Sequence, residues 1–139
     1  MMTDYIAHYT PEEVRKRYLL ARRLDLSGYW LLSDTDRAVA VCNGIGAAWM
    51  PSWARHIIDT LCPNIVIVAD IHDVRYALGG DETARRRADD EFLANGYAVA
   101  EHFYPWYNPV RYIAEFVVRR MHRILRISGG AAWKGGAGK

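Results

Sequence analysis

The stretch Gly79-Gly80-Asp81 is the feature that most constrains how this chain can fold. Glycine readily adopts the left-handed backbone conformation that ends helices, and aspartate is a favoured N-cap for the next helix. Residues 69–78 lack the apolar and polar alternation of a half-buried strand, although the β-branched run Ile65 to Val68 favours a strand by propensity. The sequence therefore predicts an antiparallel helical hairpin of residues 65–78 and 82–95, the first helix capped by Asn64 and the second ended by Asn95-Gly96.

Helix signals also occur outside the hairpin. Thr10 to Glu13 form a capping box with proline in the first turn, which predicts a helix to about Leu24. A short helix is expected from Pro51 or Ser52 to Pro63, and Asn108-Pro109 begins a last helix that reaches about Ile127. The segment 37–42 is expected to be a short strand or simply extended. These signals together predict a mainly α fold, with one domain over residues 1–128 and a mobile, glycine-rich tail over residues 129–139.

The composition is that of one globular domain. The chain has 139 residues, of which 51% are apolar and 24% charged. The net charge of +2 creates no overall field that calls for a nucleic-acid partner, and none is expected. Fifteen of the eighteen basic residues are arginine. Their clusters are typical of solvated helix faces, and they also permit contact with phosphate-bearing surfaces.

Cysteine content and the N-terminal residues bear on the compartment. Cys42 and Cys62 are too few for the disulfide framework of a small secreted domain; one bridge or two reduced thiols would fit equally well. Residues 1–14 carry an early acid and no apolar segment, so no signal peptide is predicted. We expect synthesis in the cytoplasm, and delivery elsewhere only by lysis, by assembly or by a dedicated machine.

The register of the hairpin places a histidine opposite a carboxylate. His72 lies eight residues before Gly80 and Asp89 lies eight after Asp81, so the two side chains sit at the same level of antiparallel helices. Asp89 can then hold one ring N–H of His72 and leave the other nitrogen as a proton acceptor. Tyr76, one turn after His72, can brace the same carboxylate. A satisfied core histidine remains the structural alternative, and Asp90 replaces Asp89 if the second helix is rotated.

A second set of residues suits a hard cation. Asp73 is rotated by about 100° from His72 and so points away from the hairpin partner. A cation such as Ca²⁺ prefers oxygen ligands, including backbone carbonyls. The loop 42–46 can supply them, because Gly44 and Gly46 let the backbone approach an ion closely. An ordinary turn at these glycines, and a surface charge at Asp73, are the alternatives.

Together these elements resemble the phospholipase A2 superfamily. The shared pattern is a loop with two glycines separated by one residue, a helix with His-Asp and a tyrosine four residues after the histidine, and an aspartate on a later helix. Here it is Gly44-Ile45-Gly46, then His72-Asp73-Val74-Arg75-Tyr76, then Asp89 within "ADDEF". The likeness is greatest to the disulfide-poor members, the parvoviral capsid type and similar bacteriophage and bacterial proteins. It covers about residues 40–95.

The resemblance implies a function and a role for each matching residue. The function is calcium-dependent hydrolysis of the sn-2 ester of glycerophospholipids. His72 would be the general base, Asp89 would orient it and Tyr76 would support that contact. Asp73 would bind Ca²⁺ with the carbonyls of Cys42, Gly44 and Gly46, and the Gly44 N–H would help to stabilise the oxyanion. A phospholipid membrane surface is the implied partner, together with a virion or a secretion machinery.

Two other functions stay open. A metal-dependent His-Asp phosphohydrolase would use His56, His72, Asp73 and Asp89, but it leaves Tyr76 and the glycine loop unexplained. A non-catalytic module associated with a phage or a toxin would keep the scaffold for interaction only.

The last predicted helix offers two interpretations. Its apolar side chains recur at intervals of three and four and comprise Ile113, Phe116, Val117, Met121, Ile124 and Leu125. Arginines lie largely off this stripe, which is typical of a helix that faces the core with a solvated basic back. The alternative is an interfacial helix drawn to anionic lipid, aided by the aromatics of 103–107, Trp49 and Trp53.

Overall fold

Six α-helices account for most of residues 10–42 and 51–133, the part of the chain that the computed structural model describes. They are α1 (Pro11–Arg23), α2 (Thr35–Val41), α3 (Ser52–Leu61), α4 (Val66–Leu78), α5 (Glu82–Phe103) and α6 (Pro109–Ser128). Short 3₁₀ helices occur at Tyr29–Leu32, Pro63–Ile65 and Gly129–Ala132. These residues contain no strand, which confirms the mainly α class.

The first two helices begin at local caps. The capping box before α1 is present, with the Glu13 amide donating to the Thr10 hydroxyl at 3.2 Å. The prediction of a strand or extended segment over residues 37–42 is wrong, because α2 occupies most of it. The Asp34 carboxylate accepts the Arg37 amide at 3.1 Å and so starts a helix that the β-branched Val39 and Val41 do not prevent.

The hairpin is formed by α4 and α5 as predicted. Gly79 ends α4 with φ of 76°, Gly80 follows with φ of 136°, and the Asp81 carboxylate accepts the Ala84 amide at 2.8 Å. The predicted Asn64 cap is wrong, since no side chain caps α4. Pro63 instead begins a 3₁₀ turn that contains Asn64 and leads directly into the helix.

The prediction that α5 ends at Asn95-Gly96 is also wrong, because the helix continues to Phe103. Both residues serve tertiary contacts. The Asn95 amide donates to the Ser27 carbonyl at 2.8 Å and its oxygen accepts the Ser27 amide at 3.0 Å. A β-carbon at Gly96 would lie 2.5 Å from a methyl of Val118, so glycine lets α5 approach α6 closely.

α6 packs against α5 and contributes to the core. Its buried residues are Ala114, Val117, Val118, Met121 and Leu125. The core-facing interpretation of this helix is therefore confirmed. Phe116 departs from the predicted stripe, because 46% of its surface is exposed on the outer side of the helix. No helix in the described ranges combines the length and apolarity needed to cross a membrane.

The chain folds back onto the hairpin after α6. Residues 129–133, expected to belong to a mobile tail, instead form a 3₁₀ helix followed by a buried tryptophan. Trp133 donates its indole N–H to the Gly80 carbonyl at 2.8 Å and packs edge-on against Tyr76, with ring centroids 4.9 Å apart. Cys42 and Cys62 are both free thiols and both are buried.

Candidate functional site

The hairpin brings His72 and Asp89 into direct contact. The Nε2 atom of His72 lies 3.0 Å from Oδ1 of Asp89, and both side chains are almost wholly buried. The contact follows from the register, since both residues lie eight positions from the turn on helices that rise equally away from it. Tyr76 shares the His72 face of α4, and its hydroxyl donates to the same Oδ1 at 2.7 Å.

The second oxygen of Asp89 lies near two arginines whose place in the site was not predicted from the sequence. Nη1 of Arg126, near the end of α6, donates to Oδ2 at 2.5 Å. Nη1 of Arg85, one turn before Asp89 on α5, lies 3.7 Å from Oδ2 and donates to the Leu125 carbonyl at 3.0 Å. The spacing of Arg85 from Asp89 was a usable signal, because helix residues four apart are neighbours. Nothing in the sequence places Arg126 there.

Burial and hydrogen bonding set the charge states of the pair. Burial lowers the pKa of His72, and the nearby Asp89 and Glu91 oppose that shift only in part. Burial also raises the pKa of Asp89, but hydrogen bonds from His72, Tyr76 and Arg126 outweigh it, so the pKa lies below its usual value. Asp89 is therefore a carboxylate that accepts from the His72 Nε2–H. The neutral imidazole then carries its lone pair on Nδ1.

Tyr76 is held as a neutral hydroxyl. Burial and the adjacent Asp89 carboxylate both raise the pKa of Tyr76. Tyr76 therefore donates a hydrogen bond to Asp89, the contact that the spacing of the two residues predicts. On the other side Gly129 lies so close that a β-carbon there would stand 2.7 Å from the Tyr76 hydroxyl oxygen.

Aromatic rings surround the His72 imidazole. The Tyr76 ring centroid lies 4.3 Å from that of His72, and the Phe92 centroid lies 5.3 Å away at a steep angle. Trp133 covers Tyr76 from outside. His72 is consequently only 2% exposed, and Asp89 is fully buried.

Asp90 does not take the place of Asp89. It is exposed on α5, and its Oδ1 lies 3.0 Å from Nε2 of His122 on α6. Within residues 10–42 and 51–133 there are thus two His–Asp pairs of equal length, one buried and one at the surface. Of the two aspartates that the sequence left as alternatives, Asp89 and not Asp90 contacts His72.

Asp73 lies in a cluster of oxygen and sulfur atoms. A carboxylate oxygen of Asp73, one of Asp70 and the Cys42 sulfur all lie within 4.8 Å of one another. Asp70 was not identified from the sequence, although it precedes Asp73 by one turn of α4. Gly44 and Gly46, the other expected calcium ligands, lie outside the described residues.

The chemistry of this cluster fits a hard cation in part. The carboxylates of Asp70 and Asp73 are ligands that Ca²⁺ prefers. The Cys42 thiol is not, because burial and the two aspartates raise its pKa and keep it protonated. The calcium ligand that the resemblance implies at this residue is the backbone carbonyl of Cys42, not its thiol. Arg17 Nη1 already lies 3.3 Å from an Asp70 oxygen and neutralises part of the negative charge.

His56, His72, Asp73 and Asp89, the residues that a His-Asp phosphohydrolase would use, do not form one metal-binding group among the described residues. Within residues 10–42 and 51–133, the group of three or more donors close enough to hold a metal consists of Cys42, Asp70 and Asp73. His72 lies against Asp89 through Nε2 and is not part of that group.

A groove of about 940 Å³ runs beside the hairpin. Its walls include Arg75, Arg87, Glu91 and Trp133. Neither His72 nor Asp89 lines it. Arg75 and Glu91 form a two-bonded ion pair there, at 3.0 Å and 2.9 Å.

Comparison with known proteins identifies no relative: no protein-family model, no curated protein and no solved structure matches this chain.

Proposed function

We propose that this chain is a calcium-dependent hydrolase that cleaves the sn-2 ester of glycerophospholipids. The observation that carries the proposal is the contact of His72 with Asp89 at 3.0 Å, with the Tyr76 hydroxyl on the same carboxylate oxygen at 2.7 Å. A histidine held in one tautomer by a carboxylate is the arrangement that general-base catalysis requires. The resemblance to the phospholipase A2 superfamily supplies the reaction.

His72 acts as the base in this proposal. Asp89 fixes the Nε2–H tautomer and favours the imidazolium that forms when Nδ1 takes a proton from water. The lowered pKa of His72 keeps the imidazole neutral at pH 7, which a base needs. Tyr76 holds the carboxylate that in turn holds the imidazole, so its part is positioning.

The carboxylates of Asp73 and Asp70 would hold the cation. They lie beside Cys42, whose carbonyl begins the loop that the resemblance assigns to calcium. Bound there, Ca²⁺ supplies electrostatic stabilisation for the negative charge that develops on the ester carbonyl oxygen. Asp70 extends the ligand set beyond the residues that the sequence pattern supplies.

Burial of the pair favours a second candidate, a non-catalytic module that retains this scaffold for interaction. His72 is 2% exposed, and the Asp89 carboxylate is fully surrounded by donors. A buried network of this kind also serves to specify a unique core. In this candidate the histidine is a structural residue and the aspartate neutralises two arginines.

Release of fatty acid from mixed phospholipid vesicles separates the two candidates. We expect release in millimolar Ca²⁺ and its loss in chelator. The variant His72→Gln should abolish release, whereas His122→Gln removes the surface imidazole of the same pair type and should leave release unchanged. Asp73→Asn should raise the calcium concentration needed, with the exposed Asp36→Asn as its control.

Each result has a defined consequence. Absence of release at every calcium concentration, from protein with native circular dichroism, contradicts the hydrolase and supports the non-catalytic module. Release that persists in His72→Gln contradicts the assignment of the base. Hydrolysis of phosphomonoesters with a transition metal would instead indicate a phosphohydrolase.

A further inference from the structure

The outer side of α6 carries a continuous row of exposed apolar and basic side chains, here called the outer stripe. At 3.6 residues per turn its members fall within about 100° of the helix circumference. They are Tyr112, Phe116, Arg119, Arg120, Arg123 and Ile127. Tyr112 is 52% exposed, Phe116 46% and Ile127 76%. The stripe lies on the side of α6 opposite Val117, Met121 and Leu125, which face the core.

Further aromatic side chains extend the stripe at its N-terminal end. Trp53 of α3 is 43% exposed and its ring lies 6.4 Å from that of Phe116. Trp106 and Tyr107 precede α6 and are 72% and 71% exposed. The Tyr112 hydroxyl donates to the Trp106 carbonyl at 2.5 Å, which ties this turn to the first turns of α6. Such exposure of large aromatics costs solvation free energy unless a partner covers them.

The charge of the stripe is of one sign. Within the described residues no carboxylate pairs with Arg119, Arg120 or Arg123. Arg120 instead lies over the Phe116 ring at 5.9 Å, and Arg119 donates to the Tyr97 hydroxyl at 3.4 Å. Their guanidinium groups therefore remain available to anionic groups, and guanidinium matches phosphate geometry well.

We propose that the outer stripe docks α6 flat onto an anionic phospholipid bilayer. Residues 112 to 127 span about 22 Å along the helix, so the contact is long and narrow and suits a flat surface. Tyrosine and tryptophan favour the headgroup region, phenylalanine and isoleucine enter the acyl boundary, and arginines contact lipid phosphates. The choice of lipid as the partner rests on the proposed function, while the stripe itself rests on exposure and charge.

Flotation with ether-linked vesicles tests docking without hydrolysis. Ether lipids carry no ester, and chelator removes calcium, so binding is measured apart from catalysis. We expect binding to vesicles of phosphatidylcholine with about a third phosphatidylglycerol, and little binding to phosphatidylcholine alone. The double variant Arg120→Glu/Arg123→Glu should weaken binding at least about tenfold, given the contribution of each arginine near an anionic surface. Arg22→Glu/Arg23→Glu, at exposed positions near the end of α1, makes the same charge change and should retain binding.

A variant that removes an apolar side chain tests the outer stripe independently of charge. Phe116→Ser should weaken binding to anionic vesicles several-fold, while salt should weaken binding of the unaltered chain. Any of three results overturns the proposal. They are an equal loss of vesicle binding in the α1 double variant, no loss of binding in the α6 variants, and tighter binding to a single-stranded oligonucleotide than to anionic vesicles. Fatty acid release from ester vesicles without flotation on ether vesicles overturns docking alone. Flotation without release contradicts the hydrolase alone.

Discussion

Asp89 is the residue on which the interior of the hairpin depends. Its Oδ1 accepts from His72 and Tyr76, and its Oδ2 accepts from Arg126, with Arg85 nearby. A buried carboxylate is costly to desolvate unless its oxygens are paired and hydrogen bonded. Here all four neighbours are donors, and this explains how a fully buried charge stays ionised.

Asp89→Asn should therefore destabilise the protein strongly. Loss of the charge leaves two guanidinium groups facing a neutral amide, and breaking a buried ion pair costs about 3–5 kcal/mol. We expect the lower end, because Glu82 also contacts Arg85 at 2.8 Å and Arg126 at 2.9 Å. Urea denaturation measures the change. The exposed Asp90→Asn should alter the free energy of unfolding by less than about 0.5 kcal/mol, and a similar loss in both variants would contradict the special role of Asp89.

The buried pair also predicts how stability depends on pH. The folded state lowers the pKa of His72, so below about pH 6.5 the unfolded chain binds a proton that the folded chain does not. The free energy of unfolding should thus fall as pH drops below that value. The lowered pKa of Asp89 adds a second loss, because stability present above about pH 4 disappears as this carboxyl is protonated.

Urea denaturation midpoints, measured in chelator at pH values from 8 to 5, report the loss of stability that is due to His72. His72→Gln should flatten the pH dependence, whatever it does to stability at pH 8. An unchanged slope in His72→Gln would mean that another group is responsible.

At the scale of the helices, Asn95 and Gly96 show where local signals mislead. Asparagine and glycine are typical of a helix end, yet α5 runs through both to Phe103. The side chain of Asn95 binds the backbone of Ser27, and Gly96 admits Val118. Neither partner is near in sequence, so only tertiary structure gives these residues their function. The caps at Thr10, Asp81 and Asn108 were predictable because a cap contacts residues within three positions.

Gly96→Ala tests this account, because propensity and packing predict opposite signs. Alanine in an exposed helix would gain about 1 kcal/mol over glycine. Here its β-carbon would lie 2.5 Å and 2.8 Å from the two methyls of Val118, so we expect a loss of about 1–3 kcal/mol. Adding Val118→Ala should recover part of that loss in a double-mutant cycle read by urea denaturation. Stabilisation by Gly96→Ala alone would show that the helices are not in close contact here.

Across the whole molecule, the contacts of the site that form within the α4–α5 hairpin could be predicted from the sequence. Equal spacing from Gly80 and Asp81 sufficed to place His72 opposite Asp89. The contacts of Asp70 with Cys42, and of Arg126 with Asp89, join elements far apart in sequence, and no periodicity specifies them. For the same reason glycine content alone predicted a mobile segment after residue 128, whereas Trp133 contacts a turn 53 positions earlier.

Trp133→Ala should show how much this closure contributes. The side chain is 3% exposed, packs on Tyr76 and donates to the Gly80 carbonyl, so its removal should cost about 3–5 kcal/mol. Trp133→Phe keeps most of the ring but loses the N–H donor, so its cost should be smaller. Trp106→Ala is the control, because that side chain is 72% exposed and should be nearly neutral. Urea denaturation gives the free energies of unfolding. Comparing acrylamide quenching of tryptophan fluorescence between the unaltered chain and Trp133→Phe shows whether Trp133 is shielded from solvent. Equal effects of the two alanine variants would mean that residues 129–133 do not close over the hairpin.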